Sequence, residues 1–292
     1  MAWLKQTGIE EAFSHGASTP HLGNWKLGNW GIHFFPLWLR TDSGTKANLK
    51  QARYVGEETA QHYLERLGLE VEDLFYHVLA TLHDPAYRVA NAGALHMGWP
   101  RIPLPGWPAP GSAGALPATE AAEALGRSAA RGRRLAALLD PGTSVAGVTT
   151  GILRPEIAAI AVPATTRGDN MSGDDFGVTA GWGHFGTGDA VMPGQGRVIK
   201  RPYTADERAA LGDTTAALGS ATFDVYLNDR AFWRNIPAAV WGYRLGGYQV
   251  LKKWLSYRER DVLGRALSPQ EVLYFAEIAR RIGKILQIHD YY

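Results

Sequence analysis

TFDVYLNDRAFWRNIPAAVWGYRLGGYQVLKKWLSYRERDVLGRALSPQEVLYFAEIARRIGKIL, residues 222–286, sets strand chemistry beside helix chemistry within one stretch. Its opening, Thr222 to Leu227, alternates in side-chain character with the two-residue period of a strand. Its close opens on Ser268-Pro-Gln-Glu271, which gives an N-cap hydroxyl, a proline at the first helical position and a glutamate three residues after the cap. Val272, Phe275, Ala279, Ile282 and Leu286 then recur at helical spacing, a stripe that predicts core packing with Glu277, Arg281 and Lys284 outside it. Between these elements Gly246-Gly247 permits a sharp turn before a helix beginning near Tyr248. On it Val250, Leu251, Trp254 and Leu255 would face the core and leave Lys252 and Lys253 outward. The free amides of such a helix start suit an anion.

The upstream chain is less regular. The first thirty residues, rich in Gly, Asn, His and Trp, read as a loosely ordered lead-in. Gly31 to Arg40 (GIHFFPLWLR) has strand length and is interrupted by Pro36, as an edge strand or bend would be. Glu57 to Leu67 and Val71 to Leu82 have helical spacing, with Leu74, Val78 and Leu82 on one face. Trp99 to Pro117 is too dense in Pro and Gly for a helix or sheet and reads as an ordered loop or a linker. Thr119 to Leu139 is strongly helical, with Thr119 able to cap, Glu120 and Glu123 in the first turn, and Asp140-Pro141-Gly142 as the stop. Val145 to Thr166 reads as short strands, and Gly168 to Gly196 as long loops around a hairpin. Thr204-Ala-Asp-Glu207 is a capping box that opens a helix to about Leu218. Strands and helices mixed in this way give an α+β (mixed α/β) fold with long loops and a C-terminal amphipathic helix.

Composition narrows the chemistry. With 292 residues, 46% hydrophobic and 20% charged, the chain can bury a substantial core. Cysteine is absent, which removes disulfides, thiolate metal sites and thiol nucleophiles and suits a reducing cytoplasm. No apolar run is long enough for a bilayer and the N-terminus lacks the order of a signal peptide, so a cytoplasmic protein without membrane partners is expected. Net charge is only +2, but the basic residues gather at 127–134, 197–201, 252–260 and 280–284. Such clusters are usually solvated faces; falling on one surface, they would form a footprint for phosphate.

Catalytic signatures do not surface. The sequence has no Gly-Lys-Ser/Thr phosphate loop, no GxSxG elbow and no HExxH helix. The nine histidines are scattered, and the six-residue spacing of His77 and His83 puts them on different helical faces, so no metal ligand set is assigned. Gly186-Thr-Gly-Asp189 lacks the strand–turn–helix setting that S-adenosylmethionine loops use, because Pro193 and Gly194 follow at once. Asp169, Asp174 and Asp175 could chelate a metal, but an Asp/Gly loop explains them more simply. No catalytic and no cofactor-binding residue is assigned.

Several stretches together resemble the C-terminal target-recognition (specificity) region of type ISP restriction–modification enzymes and related adenine-N6 DNA methyltransferases. The strongest is Thr222 to Gly264, continuing through RALSPQEV to Ala279–Leu286; FFPLWL (34–39), YHVLATLHDPAYR (76–88), WPRIPLP (99–105) and WGHFGTGDAVMPGQGRVIKRPYT (182–204) match in the same order. The resemblance implies residues 31–292 as a target-recognition domain with a possible linker at 99–117, and 1–30 as a lead-in or a remnant of a preceding methylase segment. It implies sequence-specific recognition of double-stranded DNA, with no catalysis by this chain alone. The methyltransferase and helicase portions would be partners in cis or trans. S-adenosylmethionine, ATP and Mg would belong to the full-length enzyme only.

Recognition of DNA needs phosphate contacts for register and base contacts for sequence. The base-reading candidates are Trp182, His184 and Asp189 in the glycine-rich loop, with Arg244 for guanine and Gln249 for adenine. The phosphate candidates are Lys200, Arg201, Lys252, Lys253, Arg258 and Arg260. Two other readings stay open on the residues: a small adenine-N6 DNA methyltransferase with an unrecognised cofactor site, and, given ten tryptophans, a carbohydrate-binding or partner-docking module.

Overall fold

The computed structural model describes residues 2–4, 16–17, 32–34, 58–107, 116–245 and 248–288. The chain divides into two compact units, Met1–Asp140 and Pro141–Tyr292.

In the first unit, β1 (Ala2–Leu4), β2 (Gly16–Ala17) and β3 (Ile32–Phe34) form an antiparallel sheet of order β2-β1-β3. The described part of the lead-in thus contributes β1 and β2, and β3 lies at an edge of this sheet, in line with the edge strand or bend expected there; Pro36 itself lies outside the described residues. Among the described residues there follow α1 (Glu58–Leu67), α2 (Val71–His83), α3 (Pro85–Ala90), α4 (Ala92–Met97) and α5 (Ala118–Leu139). Thr119 lies inside α5 rather than capping it, because the ladder already starts with Ala121 N–H donating to the Pro117 carbonyl. Tyr63, Leu64 and Leu67 of α1 pack on Ala121 and Leu125 of α5. Helices α2 and α5 meet backbone to backbone at Gly132, where a Cβ would stand 1.9 Å from the Tyr76 carbonyl oxygen. That closeness buries α2 beyond one face: Leu82 is buried, but so are His77, Leu79, Ala80 and His83, while Leu74 and Val78 are only partly covered.

His77 explains how the proline-rich segment is held. Its imidazole bridges the Ser128 hydroxyl and the Pro103 carbonyl, 2.8 Å each, and burial pushes its pKa down, so the ring is neutral. Tyr63 and Tyr87 donate to the carbonyls of Pro105 and Arg101, so residues 101–105 form a tied loop.

The second unit is built on an antiparallel sheet whose strands lie in the order Val162–Thr165, Ala231–Pro237, Ala221–Tyr226, Val198–Pro202. After α6 (Pro155–Ala158) come β4 (Val162–Thr165), the separate pair β5 (Gly183–Phe185) and β6 (Val191–Pro193), and β7 (Val198–Pro202). The Val145–Thr166 stretch therefore yields one strand, its earlier part being a turn wound on the Val145 carbonyl. Next are α7 (Ala205–Leu211), α8 (Thr215–Leu218), β8 (Ala221–Tyr226) and β9 (Ala231–Pro237). The expected helix to Leu218 breaks at Gly212, whose φ of 53° lies outside the right-handed helix. Then come α9 (Ala238–Gly242), β10 (Arg244–Leu245), β11 (Tyr248–Gln249), α10 (Val250–Ser256), α11 (Arg260–Leu263) and α12 (Pro269–Ile288).

Helix α12 is the spine of this unit. Val272, Phe275, Ala279 and Ile282 are buried as the stripe predicts, and the Trp233 ring from β9 lies 3.9 Å from that of Phe275. Leu286 is only partly covered, and Arg281, expected outside, is buried: its guanidinium binds Glu277 and the Thr143 carbonyl. The N-terminus of α12 carries a testable charge effect. The Arg265 guanidinium and the Ser268 amide hold Glu271 down at about pKa 2. A carboxyl whose folded pKa is depressed contributes stability present above its unfolded value and lost as pH falls through the folded one. Glu271→Ala should lower Tm by about 2–4 °C at pH 7, and this gap should close between about pH 4.5 and pH 2; a gap constant across that window would contradict the pairing.

Candidate nucleic-acid interface

The glycine-rich segment folds as a hairpin standing apart from the main sheet. Gly183 pairs with Pro193, His184 with Met192 and Phe185 with Val191. Gly186 N–H donates to the Ala190 carbonyl across the tip, where Gly188 and Asp189 take positive φ of 69° and 58°. The root is fixed by Trp182, which is wholly buried: its indole N–H donates to the Tyr226 carbonyl (2.7 Å) and its ring meets Trp241 edge-on at 5.6 Å. Gly196, at φ +69°, lies flat against that ring; a Cβ there would come within 2.1 Å of it. Gly183 approaches the Ser256 carbonyl so closely that a Cβ would stand 2.0 Å away. Finally, the Glu259 carboxylate accepts from the amides of Gly181 (3.2 Å) and Trp182 (2.7 Å), with burial pushing its pKa up against these bonds.

These contacts seat the hairpin on α10 and α11 and so bring distant cations to its base. Arg260, at the start of α11, is exposed, and Lys252 and Lys253 on α10 are partly so. The Lys253 ammonium sits 4.9 Å from the Tyr248 ring and 4.6 Å from that of Tyr257, which fixes the charge without neutralising it. Lys200, exposed on β7, pairs in register with Phe223, whose ring lies 6.3 Å from Trp241. Arg197, between hairpin and β7, stacks at 4.2 Å over Tyr226 and pairs with Asp229.

The model of the type ISP C-terminal specificity domain family matches residues 4–281. The chain belongs to that family. Among solved structures, it resembles a chain of the DrdV–DNA complex determined by cryo-electron microscopy, at 19% identity and a TM-score of 0.50. The match covers 96% of this chain but 24% of that one, and at such identity the likeness is one of fold. No curated protein matches the sequence.

Within this specificity domain, several residues chosen from sequence stand elsewhere than expected. Trp182 offers no face for a base, since packing consumes the whole ring. Arg201 is committed to two carboxylates, binding Glu207 at 2.6 and 2.8 Å and Asp224 at 2.7 and 2.9 Å. Arg258 stacks 3.9 Å from the Trp254 ring, donates to the Trp254 carbonyl, and has its pKa lowered by burial. The Gln249 side-chain amide donates one of its two N–H groups to the Trp241 carbonyl, which holds it against its own chain. The expected helix start near Tyr248 is displaced to Val250, with the β10–β11 pair in front of it. His184, Asp189 and Arg244 are exposed, as are Lys200 and Arg260.

The remaining chemistry resolves into structure. Gly186–Asp189 is a hairpin tip, with no helix after it to complete a cofactor loop. Asp169 and Asp175 pair with Arg230, and Asp175 also closes a capping box with Ser172. Among the described residues, no group of three or more His, Asp or Glu side chains is arranged to hold a metal, and no helix is long and apolar enough to cross a membrane. Sequence reasoning passed over Glu259, which within the charged run YRERD looks like any solvated acid. It also gave no role to Phe185 and Met192, which the hairpin leaves exposed.

Proposed function

We propose that this specificity domain recognises a defined sequence in double-stranded DNA and presents the target adenine within it to the methyltransferase portion of a restriction–modification enzyme. Catalysis then belongs to portions outside this chain, where S-adenosylmethionine, ATP and Mg would act, and the chain contributes the choice of site. What carries the reading is membership of a specificity-domain family across residues 4–281, together with a root-locked hairpin that has an exposed tip and cation-bearing elements at its base. Lys200, Lys252, Lys253 and Arg260 would set register on phosphates. His184, Asp189 and Arg244 would read base edges: an aspartate accepts from cytosine and an arginine donates to guanine. The DrdV complex contains DNA, which supports the same reading.

The test is selection of bound duplexes from a randomised pool, followed by titration at several salt concentrations. A consensus should emerge, and log Kobs should fall linearly with log salt at about 0.9 per phosphate contacted. Lys252→Ala and Lys253→Ala should each weaken binding across all sequences and flatten that slope by about one. Binding unaffected by salt, or enrichment of no sequence, would refute the proposal. Thermal stabilisation by S-adenosylmethionine would instead favour a methyltransferase.

A further inference from the structure

The hairpin leaves large apolar side chains in water on both of its faces. In an antiparallel ribbon, paired residues share a face, so Met192 lies with His184 and Phe185 with Val191. Phe185 is 52% and Met192 47% exposed. Helices α10 and α11 cover part of the ribbon, with Ser256 and Glu259 at its root, yet each face keeps one large apolar side chain about half open to water. Single exposed apolar residues are common. Here, however, Val198 and Ile199 on the following edge strand are exposed as well, so four gather within fifteen residues. A hairpin locked at its root, with a half-exposed apolar side chain on each face, is shaped for insertion.

Charge selects what it enters. The tip carries one acid, Asp189, and the elements around its root carry Lys200, Lys252, Lys253 and Arg260 against the one exposed acid Asp261 of α11, with Arg197 paired to Asp229; the cationic excess is a setting for a polyanion. The major groove of B-DNA is about 12 Å wide and admits a two-stranded β-ribbon, and the apolar group on its floor is the thymine 5-methyl. We infer that Phe185 and Met192 are specificity-determining residues that contact thymine 5-methyl groups in the major groove. This rests on the DNA-recognition reading above and adds to it an apolar component beside the hydrogen bonds of His184 and Asp189.

The experiment replaces each thymine of the selected consensus, one at a time, with deoxyuridine, which removes only the methyl. For the purified chain, at least one replacement should weaken binding about fourfold, the equivalent of the ~0.8 kcal/mol of one buried methyl group. Phe185→Ala with Met192→Ala should weaken binding to the thymine duplex by at least as much and bind thymine and deoxyuridine duplexes alike. Phe185→Leu with Met192→Leu should restore part of the discrimination. Both side chains are about half exposed, so the unfolding temperature of the double alanine variant should fall by only a few degrees, and discrimination is compared at a temperature where parent and variant are both folded. Undiminished discrimination in the double alanine variant, or a consensus without thymine, overturns the inference. So does a rise in 2-aminopurine fluorescence that the double variant abolishes, since that marks a wedge between stacked bases instead. If the parent selects no duplex at all, it is the DNA-recognition reading that fails; if it selects a consensus but ignores the methyls, only this inference does.

Discussion

Trp182→Ala should destabilise the second unit by about 3–5 kcal/mol, the range for emptying a buried aromatic site. The ring is fully enclosed, packs edge-on against Trp241 and lies against Gly196, whose missing Cβ is what makes room for it. Truncation leaves a cavity that the neighbouring backbone cannot fill, and it strips the Tyr226 carbonyl of its indole donor. At about 2–4 °C per kcal/mol for a unit of this size, the melting temperature should drop by roughly 10 °C. Thermal unfolding followed by near-ultraviolet circular dichroism measures it directly. Trp182→Phe, which keeps the packing but loses the N–H, should fall between the two. DNA affinity at a temperature where Trp182→Ala is folded should also drop, because the hairpin root loses its anchor. An alanine variant that melted with the parent would mean the ring is not core, and would restore it as a candidate for stacking on a base.

That outcome bears on what sequence can disclose. Ser268 with Glu271, and Thr204 with Glu207, were legible because a capping box is a local device whose partners are three residues apart. The hairpin was legible too, since glycine and aspartate at 186–189 suit a tight tip with positive φ. Trp182 was not, because the same ring serves equally well for packing and for stacking, and what settles it is Tyr226, Trp241 and Gly196, brought together only by the fold. Gln249 illustrates the same limit at short range: a carbonyl eight residues back takes one of its amide hydrogens, and nothing in residue type announces that. Arg281 on α12 read as a solvated cation because its acceptor, the Thr143 carbonyl, lies 138 residues away. The family and the α+β fold were readable from long ordered stretches; the usable surface depended on pairings that only the folded chain makes.

Lys200 and Arg201 make the sharpest case, because neighbours on a strand point to opposite faces. One of the pair is left open to solvent, while the other is drawn between Asp224 of β8 and Glu207 of α7. Burial pushes the Glu207 carboxyl up, but the hydrogen bonds from Arg201 and the Thr204 amide outweigh it and hold its pKa below the ordinary value. Arg201→Ala would leave the Asp224 and Glu207 carboxylates with only the Arg234 guanidinium, 3.7 Å from Glu207, and should cost about 3 kcal/mol at neutral pH. The sign with pH follows. In the parent, the stability drawn from Glu207 is present above its unfolded pKa and lost as pH falls. In the variant the Glu207 carboxyl, left with its burial, gains by taking up a proton, so the deficit measured by urea unfolding should shrink from pH 7 towards pH 4. The salt dependence of DNA binding separates structural from phosphate roles. Lys200→Ala should flatten it by about one, whereas Arg201→Ala, measured where it is folded, should leave the slope unchanged. A variant at position 201 with the parent's stability and a flatter slope would place that guanidinium on phosphate and undo the division of labour between the two faces of β7.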